Sequence, residues 1–252
     1  ESPENHNQPP ENNQIDETKK DDDNIANQTK NLNEKITKPY NKNLANSKSN
    51  IQNIQLSQKN LFIPIPNDSV SIFHMKISKK NAHYTVFPIE NSSEEVCSIS
   101  KEGKKKSLIY KISVYGKVVA NVIPASNDTY YSTSNINGQE NEISALSFPK
   151  QKKESKTKQF QAFFPKNEQT VFFNGSSSLL ENDKNRVEMG PRQPKLKGGI
   201  PVLYFGGRVK KESPQNFILE THEDGCTRFV FGKVDDETYV GEVYHPISPL
   251  QA

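Results

Sequence analysis

The sequence predicts a mainly β protein, a meandering antiparallel sheet or barrel, and three observations point that way. Short apolar and aromatic runs recur between residues 61 and 244, roughly a dozen of them, each broken by Gly, Pro, Asp or Asn. No stretch in that span carries a convincing helical period. The aromatic residues are unevenly spread: all 13 Phe lie beyond residue 60, and of the 9 Tyr only Tyr40 precedes it.

That asymmetry divides the chain. With 32% hydrophobic residues and a mean hydropathy of −0.84, the 252-residue chain is too polar to be one globular domain throughout. Residues 1–60 read as a disordered Asn- and Lys-rich arm, in which Ile25, Leu32 and Ile36 are too few apolar groups to offset the entropy of ordering. Residues 61–252 read as the barrel domain. No apolar run reaches transmembrane length, and no secretory signal is present. Cys97 and Cys226 each sit in an apolar strand pattern, which predicts reduced, buried thiols.

The elements follow in order. Residues 61–66 are apolar with two prolines, suited to an edge or an entry strand. Residues 69–77 form a strand around Val70, Ile72, Phe73, Met75 and Ile77. Residues 83–90 and 94–100 make the next pair, and 108–114 and 117–123 flank a Tyr115-Gly116 turn. A strand at 129–131, an Asn137-Gly138 hairpin turn and an alternating strand at 142–148 come next. Residues 159–164 and 169–173 are apolar strands ended by Pro165 and Asn174-Gly175. The densest β signal comes last: Val202-Leu203-Tyr204-Phe205, then Phe217-Ile218-Leu219, Phe229-Val230-Phe231 and residues 239–244.

This last part carries a family signal. Phe205, Gly206, Gly207-Arg208-Val209, Ser213 and Asn216-Phe217 are followed by Phe231-Gly232-Lys233-Val234, then by Tyr244, Pro246 and Leu250-Gln251-Ala252. In residues and spacing the segment resembles the C-terminal domain of the tubby and tubby-like family. The resemblance implies a closed antiparallel β-barrel of about twelve strands, a strand near residues 185–189, and a hydrophobic central helix. Ser248-Pro249 suits an N-cap and first turn, yet the sequence ends at Ala252, where that helix is due to start. A fragment, a barrel filled by its own Phe and Tyr, and a helix supplied by a partner are the alternatives.

The chemistry is positive charge. No nucleophile elbow, phosphate loop or dinucleotide fingerprint is present, and His6, His74, His83, His222 and His245 lack metal-ligand spacing, so no enzyme, cofactor or metal is expected. His222-Glu223-Asp224 reads as a polar hairpin loop. Lys101, Lys104, Lys105, Lys106 and Lys117 match the basic loop and following strand with which the resembled family binds phosphoinositide headgroups. There the family pattern Gly-Lys-x-Arg-x-Asn becomes Gly116-Lys117-Val118-Val119-Ala120-Asn121, so a valine replaces the phosphate-binding arginine. A second basic loop carries Lys150, Lys152, Lys153, Lys156 and Lys158. The expected function is a phosphoinositide-binding adaptor, peripheral on the cytoplasmic membrane face, with weakened headgroup specificity and an unidentified protein partner. The alternatives are a nuclear, gene-regulatory protein and a degenerate barrel serving as an interaction scaffold. A net charge of only +3, with the aromatics committed to strands, argues against nucleic acid.

Overall fold

Short strands joined by tight turns pair with their sequence neighbours, and here that habit runs until the sheet meets itself. The computed structural model describes residues 51–78, 83–91, 93–104, 108–126, 128–136, 138–149, 159–166, 171–173, 175–181, 184 and 186–252. The strands are β1 (Gln52–Gln55), β2 (Ser69–Ser78), β3 (His83–Pro88), β4 (Cys97–Glu102), β5 (Ile109–Val114), β6 (Lys117–Pro124), β7 (Thr129–Ile136) and β8 (Gln139–Ser147). They continue with β9 (Gln161–Pro165), β10 (Val171–Phe172), β11 (Arg186–Pro191), β12 (Lys195–Lys197), β13 (Ile200–Val202), β14 (Phe217–Thr221), β15 (Thr227–Lys233) and β16 (Thr238–Tyr244).

The barrel order is β2-β3-β4-β5-β6-β7-β8-β9-β11-β14-β15-β16, and β16 pairs back onto β2. These twelve strands are all antiparallel to their neighbours. The closed antiparallel barrel expected from the resemblance is therefore present. β1 adds in parallel beside the start of β2, and β10 beside β8. A separate hairpin, β12–β13, stands off the barrel sheet.

Alternation decides what faces inward. Phe73, Met75 and Ile77 of β2, Cys97 and Ile99 of β4, and Phe229 and Phe231 of β15 all line one apolar interior. Inside it, Phe217 meets Phe160 and Phe229 edge-on, at 5.2 and 5.7 Å between centroids. Such aromatic pairs add order and apolar area together.

The topology defines two rims. The turns β2–β3, β4–β5, β6–β7 and β15–β16 lie at the first. The turns β5–β6, β7–β8 and β14–β15 lie at the second. The segments before β2 and after β16 pack there too: Ile65 N donates to the Ile247 carbonyl at 3.1 Å, and Leu250 N to the Leu61 carbonyl at 2.9 Å. Leu56, Leu61, Ile65 and Ile247 are all buried beneath them.

Several local expectations change. Residues 61–66 form a turn and irregular backbone rather than an edge or entry strand, because their backbone bonds to the segment after β16 instead of to a sheet. The packed domain also extends N-terminal of residue 61, through β1 and the 1%-exposed Leu56. β1 reads Gln-Asn-Ile-Gln, so backbone pairing rather than apolar alternation makes it a strand. The run 202–205 leaves strand conformation after Val202, and Leu203, Tyr204 and Phe205 are half-buried there. Among the described residues the only helix is α1 (Ser178–Glu181), a single turn that the sequence reading lacked. Residues 1–50, which hold most of the expected arm, lie outside the described residues.

Candidate functional site

Among the described residues, the predicted lysines Lys101, Lys104 and Lys117 do not form one cluster. β4 runs out at the first rim through Lys101 and Glu102 into Gly103, whose φ of 93° is a left-handed turn conformation that favours glycine. Lys101 and Lys104 are both exposed there. Lys111, beside them on β5, is already bound to Glu102 at 2.7 Å. Lys105 and Lys106 lie outside the described residues, as do Lys150, Lys152, Lys153, Lys156 and Lys158.

Lys117 sits at the other rim. It follows the tight turn of Tyr115 (φ 51°) and Gly116 (φ 72°), a pair of positive φ values that suits a two-residue hairpin. The register pairs Lys101 with Tyr110 but Lys117 with Val114. At about 3.3 Å per residue, that step along β5 separates the two lysines by about 13 Å along the strand. Lys117 therefore does not converge with Lys101 and Lys104 on one headgroup. Val119 lies at a bulge opposite Ile112 and Ser113, packs against the core, and its carbonyl accepts from Ser134 Oγ at 2.8 Å. The position where the resembled family carries arginine serves packing here.

Inside the barrel lies an apolar cavity of about 630 Å³. An eight-stranded barrel is filled by its own side chains, and a twelve-stranded one is wider than that. Pro249, Leu250, Gln251 and Ala252 line this space. Gln251 Oε1 accepts from Ser248 N at 2.9 Å, and Ala252 N donates to the Ser248 carbonyl at 3.3 Å, the bonds of a capped first helical turn.

The segment from Gly206 to Asn216 forms a strap over the outer face of β15 and β16. Arg208 Nη1 reaches the buried Glu242 at 2.9 Å, and Tyr244 Oη donates to the same carboxylate at 2.6 Å. Burial and that neighbouring carboxylate push the Tyr244 hydroxyl pKa upward. The Val209 methyls occupy the space that a Cβ on Gly232 would need. Asn216 Oδ1 accepts from Lys233 N at 2.8 Å, while its Nδ2 donates to the Lys211 carbonyl at 2.9 Å. The residues that carry the resemblance thus fasten a strap to a barrel.

Other reactive-looking groups are also structural. Burial pushes the Cys97 thiol up to about 12, so it stays protonated. The fully buried Glu142 accepts from Ser177 Oγ and from Leu179 N at 3.1 Å, which anchors α1; desolvation raises its pKa. Asp224, in the turn read as a polar hairpin loop, accepts from Thr221 Oγ1 and from Arg228 at 2.6 Å. Among the described residues no three His, Cys, Asp or Glu side chains group as a metal site.

Sequence reading missed the β12–β13 hairpin. Its signal was legible: Gly198-Gly199 lies between Lys195-Leu196-Lys197 and Ile200-Pro201-Val202, a two-glycine turn flanked by short arms. All six arm residues are exposed, Leu196 at 74% and Ile200 at 67%.

No model of a known protein family matches this chain, and no curated protein matches it.

Proposed function

We propose that the chain is a non-enzymatic adaptor of the tubby-like kind, held peripherally on an anionic, phosphoinositide-bearing cytoplasmic membrane face, with weak discrimination between headgroups. The observation that carries this reading is the exposed pair Lys101 and Lys104 at the first rim of a closed barrel. Lys105 and Lys106 follow directly in sequence, and each lysine near an anionic surface contributes about 1 kcal/mol. Weak discrimination follows from Lys117 standing at the opposite rim and from Val119, because neither leaves a converging fork for a bisphosphate.

The test is co-sedimentation of the chain with neutral, phosphatidylserine and phosphatidylinositol-bisphosphate vesicles. Changing Lys101, Lys104, Lys105 and Lys106 to alanine is expected to abolish most of the binding to both anionic kinds, while Lys117→Ala leaves it near wild type. No binding to any anionic vesicle sinks the reading. A second reading, a barrel that serves only as a protein-interaction scaffold, is favoured by the use of Val119 in packing, and that negative result would select it.

A further inference from the structure

The geometry points to the β12–β13 hairpin as a wedge that inserts its apolar side chains into the interfacial layer of an anionic bilayer. The inference rests on the proposed membrane reading and adds the element that enters the lipid. The register places Lys195 opposite Val202, Leu196 opposite Pro201 and Lys197 opposite Ile200. Paired residues share a face, so Leu196 and Pro201 point one way while Ile200, Val202 and the two lysines point the other. Every one of the six is exposed. The hairpin adds none of these apolar groups to the core, and the barrel closes without it.

Three observations favour a bilayer as the occupant. First, exposed aliphatic side chains on the hairpin arms with lysines beside them match an interface whose acyl region lies just below anionic headgroups. Second, the hairpin leaves β11 at the same rim as Lys101 and Lys104. Third, in the barrel order the β4–β5 turn and the β11–β14 connection are half-way round from each other. One rim therefore carries a basic turn on one side and an apolar, basic hairpin on the other, an arrangement suited to a flat partner. The acidic turn on that rim is partly neutralised, with Asp236 held by Lys211 at 3.0 Å and Lys233 at 3.6 Å.

The chain contains no tryptophan, so one introduced indole reports alone. The experiment places it by Leu196→Trp, and separately by Tyr115→Trp at the opposite rim, in the full chain. Both variants are mixed with vesicles of phosphatidylcholine, phosphatidylserine and phosphatidylinositol bisphosphate, with and without brominated acyl chains. Pelleting is measured in the same samples. The expected result is a blue shift and bromine quenching for L196W and neither for Y115W. Leu196→Ser with Ile200→Ser should weaken vesicle partition about tenfold, with the thermal melt unchanged because both side chains are exposed. Pelleting without quenching of L196W, or quenching of Y115W instead, overturns the wedge and leaves the membrane reading standing. Absence of pelleting by the wild-type chain overturns both.

Discussion

At the scale of single residues, burial acts the same way on two acidic groups, a thiol and a carboxyl. Cys97 is buried with its thiol held protonated, whereas Cys226 is only partly covered. A thiol reagent at pH 8 should therefore label Cys226 in the folded chain and Cys97 only after denaturation; mass spectrometry of the labelled peptides checks this. The sequence suggested two buried thiols; Cys226, between Asp224-Gly225 and Thr227-Arg228, stands at a polar turn, which is why it is only partly covered. Glu142 is shifted upward as well. Its folded pKa is raised, by burial above all, so the stability it contributes is full below the ordinary carboxylate range and is lost as pH rises through the folded value. Glu142→Gln should thus gain on wild type in urea unfolding as pH rises from 4 to 8. A difference that stays flat across that range would contradict the assignment.

At the scale of elements, the strap explains why one stretch of sequence was so readable. Gly232 lacks a side chain because the Val209 methyls sit there. Asn216 and Arg208 have partners chosen by geometry, and such positions leave a tight spacing of residue types. Gly232→Ala should cost about 1–3 kcal/mol by overpacking. Val209→Ala should make that change cheaper, and a double-mutant cycle by urea unfolding measures the coupling. Additive single effects would show that the two do not touch. Elements held by backbone pairing or by exposure were harder to read. β1 has no apolar alternation, α1 is one turn anchored by a distant glutamate, and the six residues of β12–β13 are all exposed. The lysine site was half legible: charge is visible in sequence, but which rim each turn reaches depends on register.

At the scale of the whole molecule, the barrel is wider than its own side chains fill. Leu146 lines the cavity and is only partly buried, so Leu146→Phe should add apolar contact without a clash and raise stability by up to about 1 kcal/mol, read from denaturant midpoints. A loss of stability would mean that the space beside it is not available. The ring closes through β2 and β16, and beside that junction His245 Nδ1 meets the Ile65 carbonyl across 180 positions of chain. During synthesis, then, the sheet from β2 to β15 emerges open, with both of its edge strands waiting for β16. Contacts of such long span are slow to form, and unpaired edges invite other chains. Until β16 locks that open curl into a cylinder, its unpaired edges are the part of the sheet most open to aggregation.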